Sequence, residues 1–251
     1  MKQTDFIGGL AKGLKVIEAF EADKARLSIA EIAAATGLDR ATARRCLLTL
    51  ADLGYAHYDG KFFELTPRVL RLGSAYLSAT PLPRLLQPHL DHLSGEVGES
   101  ASASVLDGTD IVYIARAALK RVMSINLVPG SRLPAWCVSM GRVILADWPE
   151  AQARALIAGS TRHARTPFTK VAVDDIMAEI AAVRLDGYAI NDQELELGLR
   201  SIAVPILNER GRVVAAMNIG VAAAAMTRTA MIERLLPAMR RTQAALKGVI
   251  R

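Results

Sequence analysis

Three arginines crowd one short stretch of this sequence, Arg40, Arg44 and Arg45 within DRATARRCLLTLADLG. Wound as a helix at about 100° per residue, the stretch gathers Ala43, Leu47 and Leu50 on one side. Ala41, Arg44, Arg45 and Leu48 fall on the opposite arc, with Arg40 and Thr42 on its flanks. A helix anchored by an apolar face and presenting guanidinium groups beside small side chains suits the major groove of DNA. Arginine forks onto the O6/N7 edge of guanine, and alanine or leucine can touch a thymine methyl. Replacing Arg44 or Arg45 is expected to remove specific DNA binding. The plainer reading of such a run is a solvated charged face, and what surrounds the helix must decide between them.

Other groupings could do different chemistry. Glu194 and Glu196 in DQELELG would share a face if extended, a spacing compatible with acid/base work or with a structural loop anchor. His89 and His92 stand three apart on an expected helix, but no carboxylate or cysteine constellation accompanies them. There is no G-x-S-x-G, H-E-x-x-H or phosphate-binding loop. The chain is therefore expected to be no enzyme, with no catalytic residues, no metal site and no cofactor. Cys46 and Cys137 are the only cysteines and read as reduced thiols.

The elements around the arginine helix favour DNA. Before it lies SIAEIAAATG, where Ser28 and Glu31 have the spacing of a capping box and Gly37 suits a helix end. Asp39 is a good N-cap for the arginine helix and Gly54 a good terminator. Two helices joined by a glycine turn form a helix-turn-helix. YAHYDGKFFEL follows as two short aromatic-rich runs about Asp59-Gly60, expected to pair through a type I′ turn. Lys61, just past that turn, is placed to meet a phosphate. An earlier helix from Gly9 to about Glu21 is expected to carry Leu10, Leu14 and Ile17 on its apolar face.

Beyond this winged helix-turn-helix (residues 1–66), RVLRLGSAYLSAT reads as a linker helix (67–82), ended by Pro81 and Pro83. The rest, 83–251, mixes strands and helices. SASASVLDG, DIVYIARAA, VMSINLV, YAIND, SIAVPIL and RVVAAMNIG are expected strands. Helices are expected over Arg84–Leu93, from Met140, from Pro149, over 173–186, and from Thr227 with Ile232, Leu235, Leu236 and Met239 on one face. The fold class is α+β, with helices over an antiparallel sheet.

Composition adds limits. The net charge is +6, but residues 1–80 hold 11 Lys and Arg against 9 Asp and Glu, so DNA binding cannot rest on bulk charge. No run of eighteen apolar residues predicts a membrane span. The start lacks a secretory leader pattern, which points to a cytoplasmic protein.

The sequence resembles the IclR family of bacterial regulators through LSIAEIAAATGLDRATARRCLLTLADLGY, GRVILA and DGYAINDQELELGLRSIAVPILNERGRVVAAMNIG. The last segment and VSMGRVILA look like the branch controlling aromatic-acid catabolism. The resemblance implies a winged helix, a linker helix and a GAF-like effector domain. It also implies a homodimer or homotetramer on a pseudo-palindromic operator, and a small carboxylate ligand of the protocatechuate, 4-hydroxybenzoate or β-ketoadipate class. Its effector pocket maps onto Ser139, Met140, Asn191, Leu199, Ser201, Asn218 and Gly220. Arg116, Arg142 and Arg200 are possible carboxylate partners, each also readable as a surface or structural arginine. The alternative is a DNA-binding protein whose C-terminal domain only oligomerises or senses an unrelated metabolite.

Overall fold

In the computed structural model, which describes residues 6–21, 24–119 and 127–250, local signals shape the N-terminal elements as expected. After helix α1 (Gly8–Glu18) and strand β1 (Arg26–Leu27), Ser28 opens α2 (Ile29–Thr36). The Ser28 N–H donates to Glu31 Oε2 at 2.8 Å, and the Glu31 N–H to Ser28 Oγ at 3.4 Å. Gly37 takes φ +67°, a left-handed conformation that ends the helix without a Cβ penalty. Asp39 Oδ1 accepts from the Thr42 N–H at 2.8 Å and starts α3 (Arg40–Asp52). Strands β2 (Ala56–Tyr58) and β3 (Phe63–Leu65) form the wing, with β3 between β1 and β2.

Two details differ from expectation. Only Gly60 in the wing turn has positive φ (+102°), so the turn is not type I′. Asp59 instead accepts from the Lys61 and Phe62 N–H groups at 2.9 and 2.7 Å, a side-chain turn that needs no second left-handed residue. On α1 Val16 is fully buried and Ile17 packs partly buried beside it, while Leu10 and Leu14 are exposed and line a groove against Cys46 and Thr49 of α3 and Leu53 just past its end.

The chain divides into two units, residues 1–78 and 79–251, and the division falls within the expected 67–82 linker segment. That segment holds a 3-10 turn over Pro67–Val69 and helix α4 (Leu70–Ala79). Pro81 and Pro83 do not sit in a loop: they lie in the first turn of α5 (Pro81–Val97), where a missing N–H breaks no helical bond.

The second unit is a six-stranded antiparallel sheet with helices on both faces. Its strands are β4 (Ser100–Asp107), β5 (Asp110–Ala117), β6 (Arg132–Pro134), β7 (Ala189–Asp192), β8 (Leu199–Leu207) and β9 (Val213–Ala222). They are ordered β6-β5-β4-β9-β8-β7. VMSINLV falls mostly outside the described residues. One face packs on α5 and on α9 (Arg228–Arg234) and α10 (Leu236–Lys247), two helices broken at Leu235 where a single one was expected. Pro237 in the first turn of α10 cannot continue a helical hydrogen-bond ladder, which accounts for the break. The other face packs on α6 (Ser139–Ala146), α7 (Glu150–Gly159) and α8 (Val173–Asp186).

Candidate functional site

In the first unit, Arg40, Ala41, Arg44 and Arg45 are exposed on α3, while Ala43, Leu47 and Leu50 enter the core, as the helical spacing predicts. Thr42 is buried, and its hydroxyl accepts from Arg45 Nη2 at 3.2 Å. That bond turns Arg45 toward the α1–α3 groove, leaving Arg40, Ala41 and Arg44 as the freest part of the face. Lys61 is exposed on the wing, its ammonium 5.0 Å from the Phe62 ring centroid. The Arg26 guanidinium lies 5.3 Å from the same centroid and is ion-paired with Asp59 and Glu64.

In the second unit, strand register assembles a cavity on the α6 side of the sheet. Antiparallel pairing sets Arg116, Ser102, Asn218 and Ala203 side by side on β5, β4, β9 and β8. The neighbouring row runs Ser100, Gly220, Ser201 and Asn191. Residues two apart on a strand share a face, so both rows point the same way. Above them stands the start of α6. Together they bound a cavity that opens to solvent. All seven expected pocket residues line it: Ser139, Met140, Asn191, Leu199, Ser201, Asn218 and Gly220.

Several of the polar groups are held by hydrogen bonds. The Ser139 and Ser201 hydroxyls are 2.8 Å apart, and Asn191 Nδ2 donates to the Cys137 carbonyl at 2.9 Å. Ser104 Oγ lies 3.2 Å from Met140 Sδ. Ser139, Met140 and Gly141 begin α6 with no side-chain cap, so their N–H groups face the problem of every helix start. A ligand oxygen placed there would accept from them and sit at the positive end of the helix dipole.

Sequence reasoning missed Ser100, Ser102, Tyr113, Leu127, Val138 and Leu195, which also line the cavity. The serines had a signal: in SASAS, Ser100 and Ser102 alternate with alanines, the pattern of a strand with one polar face. The three arginines separate clearly. Arg142 is fully buried and forked onto Glu194, with Nη1–Oε1 and Nη2–Oε2 both 2.7 Å. Arg200 is paired with Asp192 at 2.8 Å. Arg116 lines the cavity, is half-buried, and donates from Nη1 to Ser102 Oγ at 2.7 Å. No carboxylate among the described residues pairs with it. Its backbone is clasped by the Gln87 amide of α5, which accepts from the Arg116 N–H at 3.2 Å and donates to its carbonyl at 3.0 Å. Tyr113 is buried at the same wall, and burial pushes its phenol up to about 12, against the opposing pull of Arg116. Glu194 is consumed as a structural anchor. Burial works to raise its pKa, but the Arg142 fork outweighs that and holds the carboxyl below its ordinary value.

A winged helix with exposed arginines and a second unit enclosing a polar, arginine-lined cavity define a DNA-binding regulator with a built-in sensor. Comparison with known proteins agrees. Residues 9–60 match the IclR helix-turn-helix domain, and residues 74–247 match the bacterial transcriptional regulator IclR C-terminal domain. The chain belongs to the IclR family of bacterial transcriptional regulators, and it is a regulator rather than an enzyme. It is 46% identical to the Pca regulon regulatory protein of Pseudomonas putida over 234 residues, 93% of this chain and 80% of that one. A crystal structure from Rhodococcus sp. RHA1 shares 45% identity with a TM-score of 0.81, covering 97% of this chain and 98% of that one. The inducer-binding domain of Acinetobacter PobR, a double mutant solved with 3-hydroxybenzoic acid, matches 67% of this chain and 98% of its own length. Its identity is 30% and its TM-score 0.63. Among the described residues no helix is long and apolar enough to cross a membrane.

Proposed function

We propose that this protein controls genes for aromatic-acid breakdown in the cytoplasm, in response to a small carboxylate held in the cavity of its second unit. The observation that carries the reading is Arg116, a cavity-lining guanidinium whose side-chain partner among the described residues is a neutral serine. A carboxylate beside it would gain a charge-assisted hydrogen bond. Ser102 and Asn218 adjoin the same end, Ser139, Ser201 and Asn191 supply polar groups at the other, and Leu195, Leu199 and Met140 supply apolar wall. A ring or short chain carrying oxygens at both ends fits that distribution. Protocatechuate, 4-hydroxybenzoate and β-ketoadipate all have it, and the Pca and PobR relatives support the class.

On the DNA side, Arg40, Ala41, Arg44, Arg45 and Lys61 form the reading surface, and the buried Thr42 acts through Arg45. A dimer or tetramer would present two such surfaces to the half-sites of a pseudo-palindrome. An acid that binds two arrangements of the sensor with different affinity shifts the balance between them, and thereby operator binding. Calorimetry with the three acids tests the proposal. Micromolar binding to wild-type protein is expected; binding of none of them would favour a domain that only oligomerises or senses another metabolite.

A further inference from the structure

The buried Arg142–Glu194 pair lies outside the cavity, yet it joins two elements that each form part of its wall. Arg142 belongs to α6, whose first turn supplies Ser139 and Met140. Glu194 immediately precedes Leu195, and the same loop leads to Leu199; both leucines line the cavity. The fork is fixed at each end. Arg142 Nε donates to the Trp136 carbonyl at 3.2 Å, and Glu194 Oε2 also accepts from the Lys170 N–H at 3.1 Å. Charge is balanced around it: Lys170 Nζ lies 3.6 Å from Glu194 and 3.1 Å from Glu179, which lies 3.8 Å from Arg142.

The loop needs such a restraint. Gln193, one residue before Glu194, has φ +61°, the one positive-φ non-glycine among the described residues. That conformation is unfavourable for a side chain of this size and persists only where surrounding contacts impose it. Two threonines supply such contacts: Thr166 Oγ1 donates to the Gln193 carbonyl at 2.7 Å, and Thr169 Oγ1 to the Glu194 carbonyl at 2.6 Å.

We propose that Arg142 and Glu194 form a latch that sets how tightly the cavity holds its acid, by fixing the Leu195–Leu199 wall to the first turn of α6. The inference rests on the effector reading above. Both are positioning residues: neither lines the cavity, and they act through Leu195, Leu199, Ser139 and Met140. A carboxylate is specifically required because only two equivalent oxygens satisfy both arms of the guanidinium fork. In Glu194→Gln one arm of the fork meets an amide N–H₂ in place of an acceptor, so the latch opens while volume is kept.

The test uses the full chain as Glu194→Gln and as the double variant Arg142→Met/Glu194→Leu, which replaces the buried pair by apolar side chains and should keep the fold. Three quantities are read: Kd for 4-hydroxybenzoate and protocatechuate, Tm, and amide hydrogen exchange. In both variants acid affinity should fall between about ten- and a hundredfold, as a misplaced binding wall entails. In the double variant Tm should stay near that of wild type, a split that a merely structural pair would not produce. Amides of residues 193–199 and 139–141 should exchange faster, while those of β4 and β9 should not change. Wild-type affinity in the folded variants, or unchanged exchange in those two segments, overturns the latch. If wild-type protein binds neither acid, the effector reading fails instead, and exchange alone decides whether the pair restrains the wall.

Discussion

Tyr113 and Arg116 face the same side of the sheet although they stand three positions apart. Strand alternation alone would send them to opposite faces. Ala103 pairs with Ala115, but Ser104 pairs with Tyr113, so Ile114 is the extra residue of a β-bulge. Ile114 and Ala115 both turn into the core against α5, and the phenol and the guanidinium both reach the cavity.

Arg116→Ala should weaken binding of the effector acid by about 2–4 kcal/mol, because the carboxylate loses a charge-assisted partner in a partly desolvated site. Arg116→Lys should recover part of this, keeping the charge but losing the fork. Calorimetry on the two variants is the check. An alanine variant with wild-type affinity would move the carboxylate to the start of α6.

The Tyr113 phenol, pushed up to about 12 by burial, predicts an alkaline signature. Its ordinary value is 10.0, so its contribution is intact below pH 10 and is lost as pH rises toward 12, where the unfolded chain has already released the proton. Tyr113→Phe cannot titrate. Its unfolding free energy should therefore decline less steeply than wild type over that window, measured by urea denaturation at stepped pH. Parallel curves would refute the burial argument.

Two glycines of the second unit should respond oppositely to alanine. An ideal Cβ on Gly141 would fall 2.5 Å from Ala135 Cα, and closer still to the Ala135 carbonyl oxygen, so backbone has to move. Gly141→Ala should cost about 2–4 kcal/mol of stability. On Gly220 the nearest atom would be Leu199 Cδ1 at 3.8 Å, an ordinary contact. Gly220→Ala should leave Tm near wild type but narrow the cavity and weaken acid binding. Thermal melts and calorimetry on both variants separate the two effects.

On α3, Arg44→Ala should cost about 1–3 kcal/mol against the preferred operator and relax preference at one base position. Arg45, tied to Thr42, should contribute mainly through phosphate, so Arg45→Ala should weaken binding to all sequences alike and flatten the salt dependence. This refines the expectation that either substitution removes specific binding. Selection of binding sites from a random pool, with titrations at several salt concentrations, tells the two roles apart; a matching loss of base preference in both variants would reject the division.

What was legible in the sequence was local or strictly periodic. Ser28 and Glu31 cap α2 across three residues, and Asp39 caps α3 likewise, so neighbours alone decide them. Four of the seven expected cavity residues converge because Asn218 and Gly220, and Leu199 and Ser201, are two apart on strands. Tyr113 was hidden because a bulge changes parity, and nothing in DIVYIARAA marks which residue is the extra one. The arginines could not be sorted either. Arg142 finds its carboxylate 52 positions away, whereas Arg116 meets none among the described residues and bonds a serine instead. The exposed leucines of α1 obey the helical period, but Val16 and Ile17 already serve the small core of that unit.

The sheet of the second unit divides labour between its faces. Ala101, Ile202 and Ile219 support the core under α5 and α10, while Ser102, Ser201, Asn218 and Gly220 look into the cavity. Neighbours in the chain thus answer to different selective demands. A lineage can exchange side chains along the two cavity rows, one rung at a time, and acquire a taste for another acid without renegotiating whether the protein folds.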